Sequence, residues 1–478
     1  MTLNFNAKES TLAQMGSNSG PETRHPDYDR YLQRWQRMYD VLEGEERIKQ
    51  REGGKRYLPV PGHLSDLMIR GDEEKKKWAA DEWKYHVRRA QFPTWVRDAV
   101  RSMSGLVRKL DSELELPKSI EFLREKATGD GFSVEQLFAR VVAEAVSYGR
   151  CALWVDIDEE GKPYLALYDA FSLINWKEHK GRDGNELKLA VLMEQREAGD
   201  EFSHDSDTVF RVASIDSETK ACTVRTYAQG DMEPSVEEDM SAFGGKPIDF
   251  VPIVVIGSRD NAPDVDDIPL EGMALASLKY YEVSADYYKS LHMTSHPQPY
   301  ATGLDDETTV SVSGPGALWM LPDNATVGYL ETQGVGIERQ FADMQMQKTA
   351  AMEIGAKSMD ANGVESGDAR KARQDDQRAT LATIVATASA GIEKALRYCA
   401  VMYGQNPDEV KYTVKPDFNA HDIDPQMATQ LFNASIANLI SKEAYWQYIT
   451  TGKLPDRDYQ EESAFIENTG NPNDVYQE

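Results

Sequence analysis

The sequence predicts an α+β protein of several domains, on three observations. Long segments with apolar residues three or four apart lie in the N-terminal quarter and the C-terminal half. The middle third carries short apolar runs separated by turns rich in Asp, Gly, Ser and Lys. Two long helical stretches then enclose a compact module rich in Gly, Thr and Val, and a third long helix follows a small polar loop.

Taken in order, the first twenty-odd residues are polar and read as a tail. From His25 to Val41, Tyr28, Leu32, Trp35 and Tyr39 recur at helical spacing with Arg30, Arg34 and Arg37 between them. Tyr57 to Gly62 (YLPVPG) cannot extend a helix, because each proline removes a donor and restricts the residue before it. A helical block covers Glu73 to Leu110, and another runs from Ser133 to Tyr148 with Gln136 placed to close a capping box. Strands are expected at Cys151–Ile157, Pro163–Tyr168, Leu187–Glu194, Val209–Ile215, Cys222–Ala228 and Phe250–Ile256, as one mostly antiparallel sheet.

Beyond the acidic loop Arg259–Ile268, Leu270, Ala274, Leu278, Tyr281, Ala285, Tyr288 and His292 trace one face of a long helix that Pro297 and Pro299 end. A second long helix starts near Ile337, and a polar loop over Asp360–Asp368 follows it. The longest helix spans Ala369–Tyr403, with Leu381, Val385, Ala388, Ile392, Leu396 and Cys399 in line and Gly404 as its stop. One strand (Val410–Val414), a helix over Pro425–Leu439, another after Ser441 and an acidic tail complete the chain.

Composition narrows the function. With 80 acidic and 53 basic residues the formal charge is −27, a sign that repels phosphate and argues against tight DNA gripping by counterion release. Cys151, Cys222 and Cys399 are three and far apart, which excludes a disulfide framework or zinc ribbon and fits a reducing compartment. No stretch reaches the roughly 20 apolar residues that span a bilayer, and the N-terminus lacks the basic and apolar regions of a signal peptide. The expectation is a soluble protein with no membrane partner.

A search for chemistry finds no constellation of the kind an enzyme shows. His292 and His296 stand four apart, but the helix ends at Pro297 and no Glu accompanies them. Asp264, Asp266 and Asp267 offer oxygen ligands at a spacing that matches no calcium loop. Gly334-Val335-Gly336 lacks the third glycine of a dinucleotide loop, and neither a glycine-lysine phosphate loop nor a Gly-x-Ser-x-Gly elbow occurs. Lys75, Lys76 and Lys77 adjoin Asp72, Glu73 and Glu74 and read as a balanced helix face. Arg370, Lys371 and Arg373 open the longest helix behind the polar loop, where weak contact with a polyanion is conceivable. No cofactor or metal is expected.

The order of the landmarks resembles that of tailed-bacteriophage portal proteins (head-to-tail connectors), in the group formerly catalogued as a domain of unknown function. The matching residues are Tyr57-Leu58-Pro59, Tyr148-Gly149-Arg150 leading into Leu153-Trp154-Val155-Asp156, and Ile174-Asn175-Trp176. They continue with Phe250-Val251-Pro252-Ile253-Val254, Ser284-Ala285-Asp286-Tyr287, and Leu321-Pro322 followed by Tyr329-Leu330-Glu331.

The resemblance implies a portal-protein fold: a flexible tail (1–24), a helical and sheet wing (25–265), a first stem helix (266–296), a small α/β clip (297–334) and a second stem helix (335–356). A tunnel loop (357–368), a long wing helix (369–404) and a helical crown with C-terminal tail (405–478) complete it. It further implies a homo-oligomeric ring of about twelve subunits. That ring sits at a capsid vertex of the virion, is assembled in the host cytoplasm, and passes double-stranded DNA without sequence specificity during packaging and ejection. Its partners would be a terminase, then a head-tail adaptor, with the major capsid protein and a scaffolding protein. On this chain the channel residues would be Lys357, Asp360, Asn362, Gly363, Gly367, Arg370 and Lys371, and the docking residues Thr308, Val310, Ser313, Gly314 and Trp319. It implies no enzymatic activity. The competing expectations are an acidic soluble metal-dependent hydrolase using the Asp264–Asp267 loop, and a monomeric interaction scaffold.

Overall fold

The computed structural model describes residues 20–181, 184–199, 202, 205–295, 298–303, 326–330, 334–355, 367–416, 418, 425–437, 439–451, 454, 455 and 457–468. Its architecture is α+β, as the sequence predicts. The N-terminal helices are α1 (Pro26–Glu43), α2 (Glu45–Gln50), α3 (Gly62–Arg70), α4 (Glu73–Arg89) and α5 (Trp95–Val107). The His25 ring caps α1 by accepting from the Asp27 N–H, and Pro26 occupies the first turn, where its missing donor is not needed. The apolar stripe of α1 buries Tyr28, Tyr31, Trp35 and Met38. The Trp35 indole donates to the Tyr148 carbonyl at 2.9 Å, and the Tyr28 hydroxyl donates to the Phe171 carbonyl at 2.9 Å. Buried Asp40 accepts from Arg47 (2.8 Å), Arg51 (2.9 Å) and the Tyr57 hydroxyl (2.6 Å), so one carboxylate fixes the chain's exit from α1.

The helical block expected over Glu73–Leu110 is two helices. Ala90 to Thr94 break it, because Pro93 supplies no donor and turns the residue before it out of the helical region. Helix α3 was not foreseen, since its nine residues open on a glycine directly after the YLPVP run.

The strand β1 (Ser112–Glu115) precedes α6 (Val134–Tyr148), which starts with the expected capping box between Ser133 and Gln136. Gly149 ends α6 at φ 75°, and a Cβ there would lie 2.5 Å from the Asp267 carbonyl oxygen. The strands that follow form two antiparallel sheets rather than one. In the first, β2 (Arg150–Ile157) lies between β11 (Ile253–Gly257) and β3 (Pro163–Tyr168). The second is a five-stranded meander of β4 (Leu173–Gly181), β5 (Gly184–Glu197), β6 (Ser206–Ile215), β7 (Cys222–Ala228) and β8 (Val236–Asp239). A small ribbon, β9 (Ser241–Ala242) with β10 (Lys246–Pro247), leads back to β11. Strand β4 was not foreseen, and β11 begins at Ile253 rather than Phe250, after Pro252.

The long helices are α7 (Glu271–Thr294), α8 (Val335–Ile354) and α9 (Gly367–Met402), with the hairpin β12 (Gln298–Thr302) and β13 (Thr326–Leu330) between the first two. Helix α9 buries the line Leu381, Val385, Ala388, Ile392, Leu396 and Cys399 against the first sheet and α6. It stops at Gly404 (φ 71°), whose N–H reaches the Val401 carbonyl while Gln405 N–H reaches Ala400, a Schellman cap. Strand β14 (Lys411–Val414) then returns to pair with β1, so the chain just past α9 closes on the N-terminal body. Helices α10 (Pro425–Ile436), α11 (Lys442–Thr451) and α12 (Tyr459–Asn468) follow, the last where only an acidic tail was expected.

Candidate functional site

The pair α7 and α8 exposes apolar side chains along its length. The root of α7 is held to the body by charge. Glu271 sits in its first turn, where a carboxylate complements the helix dipole, and it pairs with Arg34 and, at 3.6 Å, with Arg37 of α1. That hydrogen bond raises the Arg34 guanidinium further above its already high range. The next anchor is the break between α4 and α5. There the Ser284 hydroxyl accepts the Gln91 N–H at 2.9 Å while lying 3.2 Å from the Gln91 carbonyl oxygen. The Tyr288 hydroxyl donates to the Gln91 side chain at 2.9 Å, and Phe92 and Trp95 stack edgewise on Tyr281 and Tyr280.

Helix α8 runs antiparallel to α7. Ile354 near its end fills the space over Gly272, where a Cβ would stand 2.9 Å from its Cδ1, and Phe341 near its start meets the Tyr287 ring at 6.0 Å. Met344 and Ala351 are buried in the pair. The expected apolar face of α7 is buried only as far as Ala285; His292, at its outer end, is exposed. Leu275, Leu291, Met293, Val335, Phe341 and Met346 are exposed along the two helices. Among the described residues these side chains stay uncovered on the two-helix rod, whereas a scattered single apolar residue would need no explanation. In the hairpin at the rod's end, the Tyr300 ring lies across Gly328, where a Cβ would meet it at 2.8 Å.

Thr308, Val310, Ser313, Gly314 and Trp319 lie outside the described residues, as do Lys357, Asp360, Asn362 and Gly363. Gly367, Arg370 and Lys371 belong to the first turns of α9, which begins one residue before the expected end of the loop at Asp368.

Of the acidic residues weighed for metal binding, Asp266 is engaged in holding its own loop. Asp266 is buried and accepts from the N–H groups of Arg259 (2.8 Å) and Asp260 (3.2 Å) and from the Arg259 guanidinium (3.3 Å), so it ties a loop. His296 lies outside the described residues. Among the described residues no group of three or more His, Cys, Asp or Glu is placed to hold a metal ion. The three cysteines are buried and unpaired with one another, and burial raises each thiol, Cys222 to about 12, which leaves them protonated and unreactive. Lys75 and Lys76 pair with Asp72 (2.8 Å) and Glu73 (3.2 Å).

Two arginines, one buried and one part-buried, were not legible beforehand. Arg150 is fully buried with its guanidinium 4.0 Å over the Trp176 ring, and none of its three side-chain nitrogens has a hydrogen-bond partner among the described residues. Burial lowers it to about 10. Beside it, His25 stacks on Trp176 at 3.9 Å, at the edge of a cavity of about 1100 Å³ also lined by Tyr227, Met232 and Asp264. Arg211 lies 4.2 Å over the Trp154 ring between Asp156 (2.9 Å) and Glu194 (3.4 Å). Strand alternation shows which residues point inward but does not signal which inward cation stacks on which ring.

Residues 269–403, the span holding the rod and α9, match a family model described as a domain of unknown function (DUF4055). This agrees with the resemblance stated for the sequence, over that span. No curated protein matches the chain. Among solved structures, the chain is similar to a component of the neck of a native gene transfer agent particle computed with C12 symmetry, at 15% identity and TM-score 0.39, covering 83% of this chain and 94% of that one. It is similar to a chain of the native gene transfer agent virion at 16% identity and TM-score 0.39, covering 76% and 90%. A third likeness is to the neck of an empty particle computed with C6 symmetry, at 16% identity and TM-score 0.37, covering 83% and 94%.

Proposed function

We propose that the protein is a portal: a subunit of a ring at one capsid vertex through which double-stranded DNA enters and leaves. The observation that carries this reading is the α7–α8 rod, rooted on the body through Glu271 and Ser284 and lined with apolar side chains that stand exposed among the described residues. A head-to-tail contact repeated about an axis covers two different faces of each copy and closes into a ring, which gives those side chains a partner without a second kind of protein. The span containing the rod is the part of the chain that matches the family model.

In this reading the rod is the stem, the segment around β12 and β13 is the clip, and the segment before α9 is the tunnel loop. The clip, through Thr308, Val310, Ser313, Gly314 and Trp319, receives the packaging motor and later the head-tail adaptor. Lys357, Arg370 and Lys371 make weak, sequence-blind phosphate contacts in a lumen whose overall negative charge keeps the duplex from being gripped. The test is mass in solution by light scattering. A particle of about twelve copies supports the portal reading, and a monomer at every salt and protein concentration sinks it.

A further inference from the structure

A cavity of about 780 Å³ opens where the end of α5, the start of α6 and β14 meet, and no residue of the rod lines it. Its apolar wall carries three rings. Phe138 and Tyr412 are buried and meet edgewise at 6.0 Å, and Phe132 is half-buried. Ala139 and Ala143, one turn apart on α6, add little bulk to that wall and leave the space open. Sites for small ligands have this character: about 300–1000 Å³, a largely apolar and aromatic lining, and a few polar groups that fix orientation.

The polar groups here are mostly cations. Arg108 and Lys109 line the cavity, are exposed, and have no hydrogen-bond or ion-pair partner for their side chains among the described residues. Cations at a helix C-terminus ordinarily serve its free carbonyls. At the end of α5 the Ser104, Leu106 and Val107 carbonyls already accept the backbone N–H groups of Arg108, Lys109 and Leu110, at 3.2, 3.1 and 3.1 Å, so the two side chains are not spent there. A third cation, Arg140, lies 4.9 Å over the Phe132 ring and 3.7 Å from Asp130. Two carboxylates share the lining, Asp111 and Glu135, and Glu135 accepts from the Ser112 hydroxyl at 3.3 Å. Three cations against two carboxylates leave the cavity at a net +1 in a chain whose formal charge is −27.

We infer that this cavity binds a carboxylate carried on an aromatic body, with the charge on Arg108 and Lys109 and the ring among Phe132, Phe138 and Tyr412. A guanidinium holds a carboxylate through two parallel hydrogen bonds, and aromatic walls favour a ring set edgewise or offset against them. One negative charge balances a net +1 lining. A polyphosphate would instead meet Asp111, Glu135 and the acidic remainder of the chain. The same chemistry is offered by a free aromatic acid and by an acidic residue beside an aromatic one in a partner's peptide segment. The site uses no residue of the rod, so it stands or falls independently of the ring reading.

The experiment is saturation-transfer NMR on the full-length protein, which reads weak binding from the ligand's side. The probes are 3-phenylpropionate, its uncharged amide, and the blocked dipeptide N-acetyl-Asp-Phe-amide, with inorganic phosphate as a competitor. The inference expects the acid to bind at least tenfold more tightly than the amide and not to be displaced by phosphate. Arg108→Gln/Lys109→Gln should weaken the acid at least tenfold at an unchanged thermal midpoint, because both side chains are exposed and unpaired. Ala139→Phe, which fills the cavity and keeps every charge, should abolish binding. Tighter binding of the dipeptide than of the acid assigns the ligand to a peptide segment, the reverse to a free acid, and either result supports the site. Equal binding of acid and amide, full affinity in the double variant, or displacement by phosphate overturns it. So does failure of both charged probes to bind at millimolar concentration.

Discussion

The hydroxyl of Ser284, in the middle of α7, accepts the backbone N–H of Gln91 at 2.9 Å. Gln91 lies where Pro93 breaks the helical run between α4 and α5, so the break finds in α7 the partner it lacks locally. Ser284 is fully buried. Ser284→Ala should therefore cost about 1–3 kcal/mol, the penalty of leaving a buried N–H unpaired. Denaturant unfolding checks it, and a loss below a few tenths would mean that the N–H finds water.

The approach of α9 to β11 is set by a missing side chain. A Cβ at Gly391 would stand 2.5 Å from Ile256 Cγ1, and close by the Thr387 hydroxyl donates to the Gly257 carbonyl at 3.0 Å. Gly391→Ala should destabilise the fold by about 1–3 kcal/mol despite alanine's better helix propensity. Ile256→Ala makes room, so the double variant should lose less than the sum of the two single losses. Additive losses in the cycle would contradict the contact.

Stability should also fall on acidification. His86 is buried between α4 and α7, 4.0 Å from Asp286, and burial lowers it from the ordinary 6.5. The unfolded chain then binds a proton that the folded one refuses, so stability is complete above about pH 6.5 and falls as the pH drops below it. His25, lowered mainly by burial as well, acts in the same direction. His86→Gln should flatten the thermal midpoint between pH 7 and 5; an unchanged slope would assign the effect elsewhere.

Much of the fold was legible in local pattern. The capping box at Ser133, the buried line of α9 and its glycine stop are each written within a few residues, and each is found in the structure. What local pattern does not encode is pairing at a distance. Strand β14 joins β1, with Lys411 bonded to Glu115 at a separation of 296 positions. The split of the middle strands into two sheets is likewise decided by which edges meet. Of the candidate site, the two helices of the rod were readable from spacing, but the bareness of Met293 and Met346 was not, because periodicity says which residues share a face and not whether one chain covers it.

Charge near the start of α9 gives a further prediction. Neutralising Lys357, Arg370 and Lys371 together should reduce retention of DNA in assembled particles and weaken its salt dependence, while leaving ring assembly intact. Packaged DNA measured beside particle mass separates the two effects. Loss of assembly would make the role of these residues structural.

The central claim is closure of many copies about an open axis, and imaging of the purified full-length protein by electron microscopy tests it most directly. The account predicts rings with a central opening that admits a DNA duplex, with the α7–α8 rods side by side around it. Particles with no opening, or with one too narrow for a duplex in every class of image, would contradict it.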